Sequence, residues 1–372
     1  MSAKTVITID PTNQSELKRF LSLERKLMQG YPFYISEIDD DVAKLLTGKS
    51  AMSKNLQLEL FIVTKAGQDI GRCAAIINKK FQTEKQPGSG FIGFFAAAKD
   101  CSEEIIAMFE SAENWLKARG VTKVIAPANG GAPQSMGFLA TGYDEDPMFP
   151  FPWHPAYYKS YIENLDYKPT YPLWYFEIDF ASTKYQEAKK KYLNTSLANI
   201  RTITKKNWDK DIDTLIDLLN ECFKNEWEFT SLDYTFGKEF FGPMKDMLHP
   251  EQILFAEADG KPIGFCLAMP DLTPLFRTLN GKVGILDILK LMFGVKKFQR
   301  AGILGIGVKD EYKGKGISKA IALKLYDFHE KLGLKSSLYY PVNESNVESR
   351  GFAESIGGKG RMMYQVYDKL LS

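Results

Sequence analysis

The stretch that most constrains this chain is residues 302–332, where the apolar run GILGIGV leads through KDEYKGKG into ISKAIALKLYDFHEKL. The run is short, rich in Ile and punctuated by Gly, which reads as a strand. After Ser318 the apolar residues Ile321, Ala322, Leu325 and Phe328 recur at helical spacing, so a glycine loop joins strand to helix. Gly314 and Gly316 let the backbone approach an anion, and the first helical turn offers unpaired N–H groups at the positive end of its dipole. Lys313 and Lys315 add charge. Taken alone, the stretch fits either a phosphate site or an ordinary strand-to-helix turn.

Two nucleotide readings fail on particular residues. A dinucleotide fingerprint needs a third glycine where Lys319 stands, and an acidic residue at the end of a second strand that is missing here. The TGKS at 47–50 is no Walker A loop, because Ala43 takes the place of the leading glycine and the preceding sequence is helical. The reading that remains is a loop for the pyrophosphate of an acyl-coenzyme A. Here the residues resemble the GNAT superfamily of N-acetyltransferases, whose loop follows Arg/Gln-x-x-Gly-x-Gly/Ala. Lys313, Gly316 and Ser318 fall on that pattern, with Lys for Arg and Ser for Gly. Downstream, LKSSLYYPVNESN reads as the next strand and VESRGFAESIGGKG as a short helix with a glycine stop. Asn346, Ser349 and Gly357 keep the superfamily's Asn-x-x-Ser/Ala spacing and terminal glycine. Ala353 departs from it, standing where many members carry the tyrosine that protonates the leaving thiolate.

Composition narrows the classes. At 372 residues the chain is long enough for two domains, each with its own core. A formal net charge of +2 argues against a general nucleic-acid binder, which needs many Lys and Arg contacts to phosphate. Cys73, Cys101, Cys222 and Cys266 are scattered, without zinc or disulfide spacing, and are expected to be reduced. His154, His249 and His329 have no neighbouring ligand in sequence, so no metal is expected. The start, MSAKTVITID, has no signal region, and no apolar stretch is long enough for a bilayer, which points to the cytoplasm.

Taken in order, the first half reads as a strand at Thr5–Asp10, a helix through 11–29, a second helix at 35–46, a hairpin turning at 66–68, the strand GFIGFFAAAK, the helix EEIIAMFESAENWLKARG and the strand VTKVIAPANG. Its loop AAAKDCSEE lacks glycine and carries acidic residues that repel phosphate. Residues 148–176 are dense in Pro and aromatics, which suits core and domain contacts or an apolar pocket wall. A charged, polar, weakly helical stretch at 181–200 reads as the connection. The second half repeats the element order: IRTIT, the helix through DIDTLIDLLNECFKNEW, a helix near Phe236–Met247 and a hairpin around Asp259 and Gly260. Before the organising strand lies an insertion in which Ile285, Ile288, Leu289, Met292 and Val295 share a helical face, followed by Lys296, Lys297 and Arg300. Residues 284–300 thus suit a helix on its own domain, a membrane surface or a lipid-like chain.

The whole chain resembles a bacterial family of tandem-GNAT proteins. FIGFF at 91–95, the Pro-rich run and double tyrosine within 148–158, Asn220, Trp227 and AMPDL at 268–272 carry that likeness. Some relatives resemble enzymes that attach long acyl chains to sphingoid-base amines. The resemblance implies an α/β (α+β) fold of two tandem GNAT-like domains, each a mixed, mostly antiparallel sheet flanked by helices. Residues 1–180 form the first, degenerate for coenzyme A; 181–200 link; 201–372 carry the acyl-CoA site. It implies an acyl-CoA-dependent N-acyltransferase in which a small-molecule or lipid-like amine attacks the thioester of acetyl-CoA or a longer acyl-CoA directly, without a metal. A non-catalytic acyl-CoA or lipid sensor is the alternative. By the same resemblance, Lys313, Gly314, Lys315, Gly316, Ile317 and Ser318 hold the pyrophosphate, Ile306, Gly307 and Val308 pair with the pantetheine arm, and Asn346 bonds it from the next strand. Glu344 and Asp271 are the candidate bases, and Tyr340 and Tyr364 the candidate acids.

Overall fold

The computed structural model describes residues 4–284, 287 and 298–371. The expected amphipathic helix within 284–300, and with it the expected membrane-facing surface, lies largely outside the described residues. Among the described residues no helix is long and apolar enough to cross a membrane.

The first half comprises β1 (Lys4–Ile9), α1 (Gln14–Leu27), α2 (Asp39–Leu46), β2 (Leu56–Lys65), β3 (Gln68–Asn78), α3 (Lys79–Glu84), β4 (Ser89–Ala97), α4 (Ser102–Lys117), β5 (Lys123–Ala126), β6 (Phe138–Thr141), α5 (Tyr157–Glu163) and β7 (Lys168–Asp179). Local chemistry sets most of these bounds. Asn13 caps α1 by accepting from the N–H groups of Ser15 and Glu16. The β2–β3 hairpin turns on Ala66 and Gly67 at φ +50° and +76°, the left-handed pair that matches strand twist. The expected helix from Ile35 begins only at Asp39, where three acidic residues favour its N-terminus. The expected strand VTKVIAPANG stops at Ala126, since Pro127 has no N–H for the ladder.

After α6 (Thr183–Tyr192), the second half repeats the plan with β8 (Asn199–Thr202), α7 (Trp208–Cys222), α8 (Tyr234–Phe241), β9 (Ile253–Ala258), β10 (Lys261–Pro270), α9 (Thr273–Leu279), β11 (Ala301–Val308), α10 (Ile317–Lys331), β12 (Ser336–Asn343), α11 (Val347–Ser355) and β13 (Gly358–Leu370). Its β9–β10 hairpin uses Asp259 and Gly260 at φ +51° and +71°. The helix expected to reach Met247 ends at Phe241, because Gly242 and Pro243 convert the chain to a short 3₁₀ turn. In each half one parallel pair interrupts an antiparallel meander: β4 with β5, and β11 with β12.

The halves are joined by exchanged strands. All described strands form one mixed sheet in the order β1-β2-β3-β4-β5-β13-β7-β12-β11-β10-β9-β8, with β6 beside β13. The last strand of the chain, β13, lies against β5 of the first half, with Tyr367 opposite Ala126. The last strand of the first half, β7, lies against β12 of the second, with Ile178 opposite Ser337. The two exchanged strands pair with each other along their length. At this seam Tyr175, Tyr340 and Tyr364 are fully buried, with Tyr175 stacked on Tyr340 at 4.6 Å. Gly302 makes room for that stack, since a Cβ there would sit 2.2 Å from the Tyr340 ring.

Because each half lacks a closing strand of its own, neither has a complete sheet alone. Denaturant unfolding should therefore give one transition, coincident by tryptophan fluorescence and far-UV circular dichroism. Two separated transitions would show that the halves fold independently of the exchange.

Candidate functional site

The site begins where β11 leaves β12. The strands pair only at Gly302–Leu338 and Ile303–Tyr339. Beyond that β11 continues along β10, with Ile306 opposite Cys266 and Val308 opposite Gly264, while β12 follows β7. The edge of Gly305–Val308 that faces away from β10 has no strand partner among the described residues. Its backbone groups are open to an extended ligand, the β-augmentation mode of recognition. Ile306, Gly307 and Val308 all reach the cavity wall here. Gly307 is also a packing requirement, because a Cβ would meet Cys222 at 2.6 Å.

Past β11 the chain makes the glycine loop. Gly314 and Gly316 adopt φ +74° and +83°, and Gly316 is the N-cap of α10 with no side chain to satisfy the helix start. Among the described residues, the N–H groups of Gly314, Lys315, Gly316, Ile317 and Ser318 find no backbone acceptor. A cluster of orphan donors at a helix N-terminus is an anion cradle. Open space lies over Gly314, where an added Cβ would meet nothing within 4 Å. Lys315 sits over the Tyr312 ring at 5.0 Å. Lys313 is held by Asp310 at 3.0 Å and Glu348 at 3.4 Å, which raises its pKa, chiefly through Asp310. Below the loop α10 is pinned by buried His329, whose ring nitrogens meet Ser337 Oγ at 3.1 Å and Gln252 Oε1 at 3.2 Å. Burial lowers the His329 pKa to about 3, so the ring is neutral at ordinary pH.

Loop and free edge open into one cavity of about 1510 Å³ that runs across the seam to Glu37, Ile38 and Val42 in the first half. Its middle is apolar and soft, with Phe236, Phe240, Met244, Met247, Met269 and Leu272 among the lining residues. The aromatic stretch contributes Phe149 and Phe151, and Phe149 stacks on Phe276 of α9 at 4.0 Å. The first half and the start of the insertion therefore meet at this wall. Trp153, Tyr158 and Tyr161 pack into the first half's core instead.

The equivalent wedge of the first half is closed. Asn129 Oδ1 accepts from Phe94 N at 2.7 Å and Ala128 N donates to Ile92 O at 2.9 Å. Gly93 shows how tight this is, for a Cβ would lie 2.3 Å from Ala128 O. The hydroxyls of Tyr158 and Tyr161 accept from the N–H groups of Ala97 and Cys101, taking up backbone donors ahead of α4.

Several expected residues stand elsewhere or do other work. Asn346 lines the cavity, but its Oδ1 caps α11 through Ser349 N at 2.9 Å and its Nδ2 donates to Glu226 Oε1 at 2.7 Å. Glu344 is exposed, 3.7 Å from Arg350. Asp271 is buried under Arg300 at 2.6 Å and receives Thr273 N at 2.8 Å. Tyr340 and Tyr364 are seam residues, and the Tyr364 hydroxyl donates to Pro152 O at 3.0 Å. None of these four is on the cavity wall. Its ionisable wall includes Glu226 and Glu228, in the turn after α7, which sequence reading passed over. Burial raises the pKa of both, Glu228 to about 7. Near Ala353, where the usual tyrosine is absent, the hydroxyls of Tyr339 and Ser349 bond each other on the same wall.

Residues 212–357 match the model of the acetyltransferase (GNAT) family. Along nearly its whole length the chain is similar to two curated proteins. One is named bacterial ceramide synthase, from Caulobacter vibrioides, 27% identical with 96% of this chain and 95% of the relative covered. The other is protein YghO of Escherichia coli, 25% identical over 96% and 93%. Among solved structures, a tandem GNAT protein from the clavulanic acid biosynthesis pathway superposes with a TM-score of 0.58 at 9% identity, covering 99% of this chain and 98% of that one. A GCN5-related N-acetyltransferase from Sphaerobacter thermophilus gives 0.54 at 12% identity, over 99% and 95%. The fold is thus that of tandem GNAT proteins.

Substituting Gly314→Ala places a side chain at positive φ in the mouth of the cradle. It should cost about 1–2 kcal/mol of folding stability and raise the Kd for coenzyme A roughly tenfold, about 1.4 kcal/mol of binding. Calorimetric titration with coenzyme A checks this, and unchanged affinity would move the anion site elsewhere.

Proposed function

We propose, from the premise that this chain is an acyltransferase built on the GNAT fold, that it transfers a long acyl chain from coenzyme A to a lipid-like amine. The observation that carries this reading is the continuity of the cavity, from the orphan amides of the glycine loop to a wall of Met and Phe. An acetyl group would need no such wall. At about 1510 Å³ the space exceeds the roughly 300–1,000 Å³ of ordinary small-molecule sites, and so suits an acyl chain and an apolar acceptor together. The relative named bacterial ceramide synthase supports the same choice of acceptor class.

In this reading the amides of Gly314–Ser318 and the charge of Lys315 hold the pyrophosphate. The free edge of Gly305–Val308 takes the pantetheine arm as an added strand, and its N–H groups polarise the thioester carbonyl. The acyl chain lies against Phe236, Met244, Met247 and Met269. The donor binds in the second half alone, because the wedge between β4 and β5 is closed by Asn129 and by tyrosine hydroxyls. Positioning does most of the work, since an amine attacks a thioester readily once the two are held in line.

At matched concentrations below micelle formation, a long-chain acyl-CoA should raise the melting temperature more than acetyl-CoA or coenzyme A, since a ligand selective for the native state stabilises by its affinity. With a long-chain primary amine added, free thiol should appear and a long-chain amide should form. Equal shifts for all three ligands, with turnover only from acetyl-CoA, would contradict the chain-length reading.

A further inference from the structure

Glu344, Asp271, Tyr340 and Tyr364 are all off the cavity wall, yet an amine acceptor arrives at neutral pH as an ammonium with no lone pair to attack with. A basic group on the wall that takes that proton in place speeds the attack. Glu228 meets the requirements of place. It lines the cavity, and its turn packs over the face of β11, where a Cβ on Gly305 would lie 3.4 Å from the Phe223 ring. Phe223 in turn packs edge-on against Phe229 at 5.7 Å. The backbone fixes the residue at the seam, because Ala132 N of the first half donates to Glu228 O at 3.2 Å and Phe229 forms a bridge to Ala132.

The chemistry of the carboxylate fits as well. Glu228 Oε2 is buried with no hydrogen-bond partner; the residue's own backbone N–H favours the anion, but burial outweighs it and the group holds a proton readily. Glu226, on the same turn, is different: its Oε1 is already occupied by Asn346 Nδ2. The charged groups around Glu228 are few. Glu226 opposes its ionisation and Lys85 favours it. Lys85 is itself tied to Lys224 O at 2.6 Å, and Glu84 of α3 is taken up by Ser231 at 2.7 Å. Lys313, also on the cavity wall, favours ionisation of Glu226 and is paired with Asp310 and Glu348.

We propose that the Glu228 carboxylate accepts the proton the acceptor ammonium must lose before its nitrogen attacks the thioester. The inference rests on the acyl-transfer reading above. The step balances: the ammonium gives one proton to Glu228, and the amine forms the C–N bond as the C–S bond breaks. The nitrogen's second proton goes to the departing thiolate, and Glu228 returns its proton to solvent. The products are amide, coenzyme A thiol and one proton.

The test is the pH profile of kcat/KM, measured by thiol release from a long-chain acyl-CoA with a long-chain primary amine. The natural protein should show activity rising tenfold per pH unit below about 7 and then levelling. Glu228→Gln should lose about 10²–10⁴-fold at pH 7 and recover as pH approaches the amine's own pKa. Glu226→Gln, which removes the like charge while still able to accept from Asn346, should move the rising limb to lower pH. A purely structural role would move neither limb. Melting-temperature shifts with coenzyme A should match in all three proteins. If Glu228→Gln keeps kcat/KM within about threefold and the same profile, or if Glu226→Gln leaves the limb in place, Glu228 is not the acceptor, while acyl transfer stands. Donor binding without amide formation by the natural protein would overturn the acyl-transfer reading itself.

Discussion

Everything at this site depends on the parting of β11 from β12 after two paired residues. A parallel pair that stayed zipped would bury the backbone of Gly305–Val308 in the ladder and leave no edge for a ligand. Instead one side of β11 is satisfied by β10, and the other keeps hydrogen-bonding groups that something must pair with. The first half is the internal control. There the same two strands are stitched past their ladder by Asn129 and Ala128, and the tightness at Gly93 leaves no room for an arm. One fold thus carries an open wedge and a closed one, and the difference is made by a handful of side chains.

The exchange of β7 and β13 decides where the open wedge leads. Since β7 closes the second half's sheet, the segment that leads into it by way of α5, with Phe149 and Phe151, reaches the wall of the second half's cavity. The start of the insertion meets it there through Phe276 and through Arg277, which pairs with Asp146 at 2.6 Å. A GNAT-like half on its own would have no such roof. The halves therefore cooperate in a physical sense, one supplying the cradle and the other part of the apolar wall.

How much of this was legible follows from how local each signal is. The strand–loop–helix at 302–332 and the helix begun by Asn346 are written in consecutive residues, and both hairpins turn on dipeptides that end in glycine at positive φ. The strand exchange is not local. KPTYPLWYFEID carries two prolines among its aromatics and reads as core and domain-contact packing or as a pocket wall, and only pairing with β12 and β13 makes it a strand. Asp271, Tyr340 and Tyr364 looked available because sequence cannot show that Arg300 covers one and the seam buries the others. Glu226 and Glu228 went unseen for the converse reason. In KNEWEF they look like a solvated turn, and only the packing of α7 on β10 and β11, with the turn after it bonded to Ala132, puts them on the cavity wall.

The most direct measurement is a crystal structure with a long-chain acyl-CoA analogue whose thioester is replaced by a thioether. Pyrophosphate oxygens are expected on the amides of Gly314–Ser318, the pantetheine arm alongside Gly305–Val308, and the chain against Phe236, Met244 and Met247. A pyrophosphate bound away from the glycine loop, or a chain that leaves this wall empty, would contradict that placement.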